Sequence, residues 1–219
     1  MSGRELLQNA LDHKPGKVPI DFGSTPVTGM HCTVVEKLRK HYGLEDRPVK
    51  IVEPYQMLGM IEEDLKEAIG VDVDGIYPRN TMFGFPLSDW KEWQAPWGQR
   101  LLVPGKFVTT KDGKNDYYLY PEGDTSSSPS GRLPDGGYFF DAVIRQEHFD
   151  EDNLDVEDNL QEFNPLSDTD LEHFRRSVAE VAKSGRGVIA NVGGTGLGDI
   201  ALVPAMNLKD PRGIRDVEE

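Results

Sequence analysis

The sequence predicts an α/β fold, a framework of helices alternating with apolar strands that carries a β-rich insertion at about residues 90–145. Three observations lead there. Apolar runs of strand length at 18–22, 71–77 and 187–192 each border a segment with helical apolar spacing. Capping boxes and glycines mark where those helices begin and end. From Trp90 to about Phe140 the texture changes to aromatic and β-branched runs separated by turn residues.

Ser2, followed by Glu5, makes the first capping box, and Leu6, Leu7, Ala10 and Leu11 share a helical face until Pro15-Gly16 ends the element. The strand at 18–22 empties into a polar loop holding Ser24, Thr25, Thr28 and His31. Val34, Val35, Leu38 and Tyr42 form the apolar face of a second helix, with Lys37, Arg39 and Lys40 opposite and Gly43 as its stop. A third helix carries Leu58, Ile61, Leu65 and Ile69 as its stripe, stops at Gly70 and feeds straight into the strand at 71–77. In the insertion, the runs 107–110 and 117–120 flank Asp112-Gly113, a hairpin signal, and residues 138–140 read as one more strand after a Gly, Ser and Pro-rich loop at 123–137. Thr169 with Glu172 makes a second capping box, and Leu171, Phe174, Val178 and Val181 give the next helical face before Gly185 and the strand at 187–192. Asp210 with Pro211 opens a short last helix whose apolar face starts at Ile214 and Val217.

Composition excludes several classes of function. A formal charge of −14 over 219 residues opposes nucleic-acid binding, which rewards clustered Lys and Arg. The absence of any long apolar window, and of a basic-then-apolar start, predicts a cytoplasmic protein without a membrane span. The single cysteine, Cys32, has no disulfide partner in the chain and cannot build a Cys-rich zinc site, so it is expected to be a buried or half-buried small side chain. Eleven Asp or Glu and no Lys or Arg lie between Arg145 and Arg175, and Asp150 and Asp152 have the alternate spacing of a calcium loop. No glycine follows where such a loop must turn, so this stretch reads as solvated chain.

Among chemistry-bearing motifs, Gly193-Gly194-Thr195-Gly196-Leu197-Gly198 follows the last strand but has the spacing of neither the dinucleotide fingerprint nor a phosphate loop. His31 and Cys32 are adjacent, and the remaining histidines are scattered without metal-ligand spacing. Asp21 stands at the carboxyl end of its strand, where it either caps a neighbouring loop or lines a site. Arg79 and Asn80 follow the strand at 71–77, and Asn191 stands near the end of the last strand. The three tryptophans form the small core of the insertion or a stacking surface for a planar ligand.

The segment Asp12-His13-Lys14-Pro15-Gly16-Lys17-Val18-Pro19-Ile20-Asp21-Phe22-Gly23 resembles the opening of the uroporphyrinogen decarboxylase superfamily, which includes corrinoid methyltransferases. The loop Thr28-Gly29-Met30-His31, the helix Glu36-Lys37-Leu38-Arg39-Lys40, the passage from Glu62-Glu63-Asp64-Leu65 to Gly70-Val71-Asp72, and Gly193-Gly194 resemble it in the same order. The resemblance implies a (β/α)8 barrel, of which about four framework strands in residues 1–219 would form an incomplete N-terminal half as a single domain. The loop after the first strand has no Arg for propionates, and Arg79 stands where the decarboxylase has an Asp. The implied activity is therefore methyl transfer between a corrinoid and a thiol or other acceptor. Asp21, His31, Arg79 and Asn191 are the expected pocket-lining residues. Zinc and a corrinoid are implied for the full-length parent, with no metal held by this chain, and the partner is a small molecule or a corrinoid protein. The alternative is a non-catalytic half-barrel that needs a partner chain or a second copy, because a half-barrel leaves sheet edges open.

Overall fold

The computed structural model describes residues 1–146, 151–192 and 203–216. Their elements run α1 (Gly3–Leu11), α2 (Cys32–His41), β1 (Val49–Glu53), β2 (Leu58–Gly59), α3 (Glu63–Ile69), β3 (Val73–Ile76), β4 (Lys91–Gln94), β5 (Arg100–Val103), β6 (Thr109–Lys111), β7 (Tyr117–Leu119), β8 (Gly131–Leu133), β9 (Asp141–Ala142), α4 (Asp168–Val181) and β10 (Gly187–Ala190). They divide into two compact units. The first takes the described residues of 1–51, 58–79 and 166–194, and the second those of 52–57, 80–165 and 195–219.

In the first unit β3 and β10 pair in parallel, Val73 opposite Gly187 and Ile76 opposite Ala190. α1 packs on both strands and α4 on β3. The Ser2 and Glu5 capping box forms as expected, each side chain accepting from the other's backbone N–H. Glycine at 187 allows α1 its close approach, since a Cβ there would come 2.6 Å from Leu7 Cδ2. α2 buries Cys32, Val35 and Arg39. Burying Arg39 is tolerable because its guanidinium donates to both carboxylate oxygens of Asp64, at 2.9 and 3.0 Å, and to the Glu45 carbonyl. Arg47 and Lys50 close the network on Glu62 and Asp64.

In the second unit β4 and β5 form an antiparallel hairpin, closed by Gly98 at φ +87°. β6, β7, β8 and β9 form an antiparallel meander in chain order. Trp93 packs edge-on against Phe107 at 5.2 Å and Tyr117 at 6.1 Å, and Phe83, Phe85 and Phe140 are fully buried. The tryptophan region thus contributes to the core, while Trp97 stacks on the exposed Tyr138. Arg145 donates to the carbonyls of Pro204, Ala205 and Leu208, and burial, with Arg215 close by, pushes its guanidinium down to about 10.

The partial (β/α)8 barrel expected from the sequence is not what forms. The described fold is mixed α/β with small separate sheets: the parallel pair β3–β10 has only two strands, the meander and the β4–β5 hairpin are antiparallel, and helices do not alternate with parallel strands. The physical reason lies in the connections and in proline. The short turns within the insertion can join only antiparallel neighbours. The segment at 18–22 lies beside β3, where Asp72 N donates to Ile20 O at 2.8 Å, but forms no strand, and Pro19 has no N–H to donate to a ladder.

Other boundaries move too. The first turn of the expected third helix is β2, because Gly59 N donates to Met30 O and Met60 N to Lys50 O, non-local bonds that outweigh helical spacing. α4 opens two residues before the expected box, on Ser167 and Asp170, and buries no residue completely. Residues 138–140 are not a strand, the loop at 123–137 contains β8, and residues 210–216 form no helix. β1, β4 and β5 were not anticipated. The glycine-rich loop at 193–198, His148 and Asp150 lie outside the described residues, as does Val217. Among the described residues no helix is long and apolar enough to cross a membrane.

Candidate functional site

Beside the Arg39 network, the first unit has a second set of polar groups near the carboxyl ends of β3 and β10. The chain from Ile20 to Ser24 runs alongside β3, with Ile20 bonded to Asp72 at its start and Gly23 O accepting from the Tyr77 hydroxyl at its end. This close approach requires a glycine at 75, where a Cβ would lie 1.9 Å from Ser24 O. Asn191 N donates to Ile76 O at 2.8 Å and carries the parallel ladder one residue past β10.

Asp21 is held in this loop. Its Oδ1 accepts from Ser24 N at 3.2 Å and its Oδ2 from Ser24 Oγ at 2.6 Å, which satisfies a serine only 1% exposed. Asp21 therefore acts as a loop cap. Its charge is still felt across the site: burial first, and then Asp21, push the Tyr77 hydroxyl up to about 12, so Tyr77 is a neutral hydrogen-bond donor.

Arg79 follows β3, and its Nε donates to Asp170 Oδ1 at 3.0 Å in the first turn of α4. Hydrogen bonds from Ser167, and then from Arg79, hold the Asp170 carboxyl below the usual range. His173, one helical turn further on, donates through Nε2 to Tyr77 O at 2.9 Å, since a carbonyl can only accept. Asp21 and Arg79 do not pair, each being engaged by a different neighbour.

His31 is placed elsewhere. It is the N-cap of α2, its Nδ1 accepts from Thr33 N at 3.3 Å, and its backbone bridges to Leu58. Cys32 beside it is fully buried, and burial pushes the thiol up to about 12.

The zinc implied by the resemblance needs a gathered set of ligands with at least one thiolate. Among the described residues no three His, Cys, Asp or Glu side chains are arranged to hold a metal ion, and the one thiol, Cys32, is fully buried in the first turn of α2, so these residues do not fit it.

Tyr77, Asp170 and His173 were missed as site residues by sequence reasoning. A signal for the last two was present, because residues three apart on a helix share a face, but nothing local says which strand that face meets. Comparison of the chain with protein-family models, with curated proteins and with solved structures returns no match.

Proposed function

We propose that the chain binds the small-molecule substrate of a uroporphyrinogen decarboxylase-like protein of the corrinoid methyltransferase kind, and that it does so at the carboxyl ends of β3 and β10. The observation that carries the reading is the grouping there of a neutral Tyr77 hydroxyl, an oriented Arg79, the Asp21 loop and the Asn191 strand end. Carboxyl ends of parallel strands are where α/β units take ligands, because the loops leaving them are free to vary while the strands stay rigid. In this reading the chain's own residues bind and orient. Arg79 donates hydrogen bonds to the ligand, while the Tyr77 hydroxyl, donating to Gly23 O, and the Asp21 and Ser24 pair fix the loop against β3. Activation of a thiol is not assigned to them.

The experiment is an amide NMR titration of the labelled chain with mercaptoethanol, a minimal thiol acceptor. Shifts at Ser24, Tyr77 and Asn191 with a dissociation constant of about 10 mM or tighter are expected. Shifts confined to other parts of the chain, or none at all, would overturn the reading.

A further inference from the structure

We propose that Arg79, aimed by Asp170, reads an anionic group on the ligand, a carboxylate or an equivalent oxyanion; the proposal rests on the strand-end binding reading above.

The geometry of this ion pair is what points there. A guanidinium pairs most strongly with a carboxylate through two parallel bonds, as Arg39 does with Asp64. Arg79 instead meets Asp170 through Nε alone, and among the described residues its two Nη groups, with their four N–H donors, have no partner. Its side chain is 41% exposed, so the unpaired edge of the fork is open to solvent. Asp170 cannot turn to take up the remaining donors. Its Oδ2 is held by Ser167 Oγ at 2.5 Å and Ser167 N at 3.3 Å, as the third residue of the α4 capping box. The carboxylate is thereby tied to the helix, and the helix packs on β3, so both ends of the Arg79 side chain are fixed.

A guanidinium fixed at Cα and at Nε presents its Nη pair in one direction, which suits bidentate recognition of a planar oxyanion. A surface lysine would offer only a mobile point charge. The rest of the molecule supplies contrast. With a formal charge of −14 the chain repels anions in general, so affinity for one must come from a local, oriented cation. Tyr77, two residues before Arg79, is neutral and gives its proton to Gly23 O, so it brings no competing charge to Arg79.

The test compares mercaptoacetate with mercaptoethanol, which share the thiol and differ in the carboxylate, by amide NMR titration of wild-type chain, R79Q and D170N. Wild-type chain is expected to bind mercaptoacetate about tenfold more tightly than mercaptoethanol. R79Q should bring the ratio close to one, and D170N should lower it several-fold while the far-UV circular dichroism stays that of wild type. Equal binding of the two thiols by wild-type chain overturns this proposal and leaves the strand-end reading standing. A ratio that survives in R79Q overturns it as well. Failure of both thiols to shift any strand-end amide removes the underlying reading and this one with it. The wild-type comparison decides the matter even if a variant fails to fold.

Discussion

Replacing Gly75 by alanine tests the packing that builds the strand end. A Cβ at this position would lie 1.9 Å from Ser24 O, 2.5 Å from Ser24 C and 2.6 Å from Ser24 Cα, whereas such carbons essentially never come within 3.0 Å of a neighbour. All three atoms are backbone, so no side-chain rotation relieves the clash, and the loop must move away from β3 by about an ångström. That movement strains the Tyr77 to Gly23 bond and uncovers Ser24, which is otherwise buried. Overpacking typically costs about 1–3 kcal/mol, and a clash with backbone belongs at the upper end, so we expect a loss of about 3 kcal/mol. With a urea dependence of about 1–3 kcal/mol per molar, the unfolding midpoint should fall by roughly 1–3 M. Gly16→Ala is the matched control, because nothing lies within 4 Å of its added Cβ. It should be neutral or stabilising by up to about 1 kcal/mol. Urea unfolding followed by circular dichroism reads both variants. If Gly75→Ala unfolds at the same urea concentration as Gly16→Ala, the loop does not lie against β3 and the strand-end site is not assembled as described.

Asp21→Ala should cost about 1–2 kcal/mol in the same urea assay, because it leaves the buried Ser24 hydroxyl and amide without their acceptor; a change below a few tenths would show that the capping contact is not formed. Arg39→Met should cost about 3 kcal/mol, since it strips the buried cation from Asp64 and the Glu45 carbonyl, with the partly exposed acids placing it at the low end of the range for a broken buried pair. The Cys32 thiol, fully buried and raised to about 12, should resist a thiol-exchange reagent at pH 8 in the native chain and react promptly in urea; rapid native labelling would contradict its burial. Burial raises the Asp74 carboxyl, but Lys66, Ser184 and Arg186 together outweigh it and leave the group below its ordinary value. A depressed carboxyl stabilises the fold fully above its unfolded value of about 4 and loses that contribution as pH falls through the folded value, so Asp74→Asn should flatten the acid limb of the stability profile.

Much of the local structure was legible in the sequence because it depends on neighbours in the chain. The capping box at Ser2 and Glu5, the stops at Gly43 and Gly70, the apolar run that became β3 and the Asp112-Gly113 hairpin are set by bonds and steric limits within a few residues. The full burial of Cys32 agrees with the buried or half-buried small side chain expected of a lone thiol. What the sequence could not determine is which apolar segment pairs with which. Residues 18–22 have strand composition, yet with no N–H at Pro19 they rest beside β3 without joining a ladder, and residues 58–59 leave a helical pattern because Met30 and Lys50 offer backbone acceptors from elsewhere in the chain. The same holds for the site. The positions of Arg79 and Asn191 at strand ends could be anticipated, whereas Asp21 follows no strand, and the distant partner that holds Arg79 could not be foreseen. The Asp21 cap on Ser24, three residues on, is local and is one of the two roles the sequence offers for it, but Asp170 takes Arg79 from 91 residues away, and His173 reaches Tyr77 across 96. Such pairings are decided by the docking of α4 on β3, where burial and complementary charge act between segments whose separation along the chain carries no local signal.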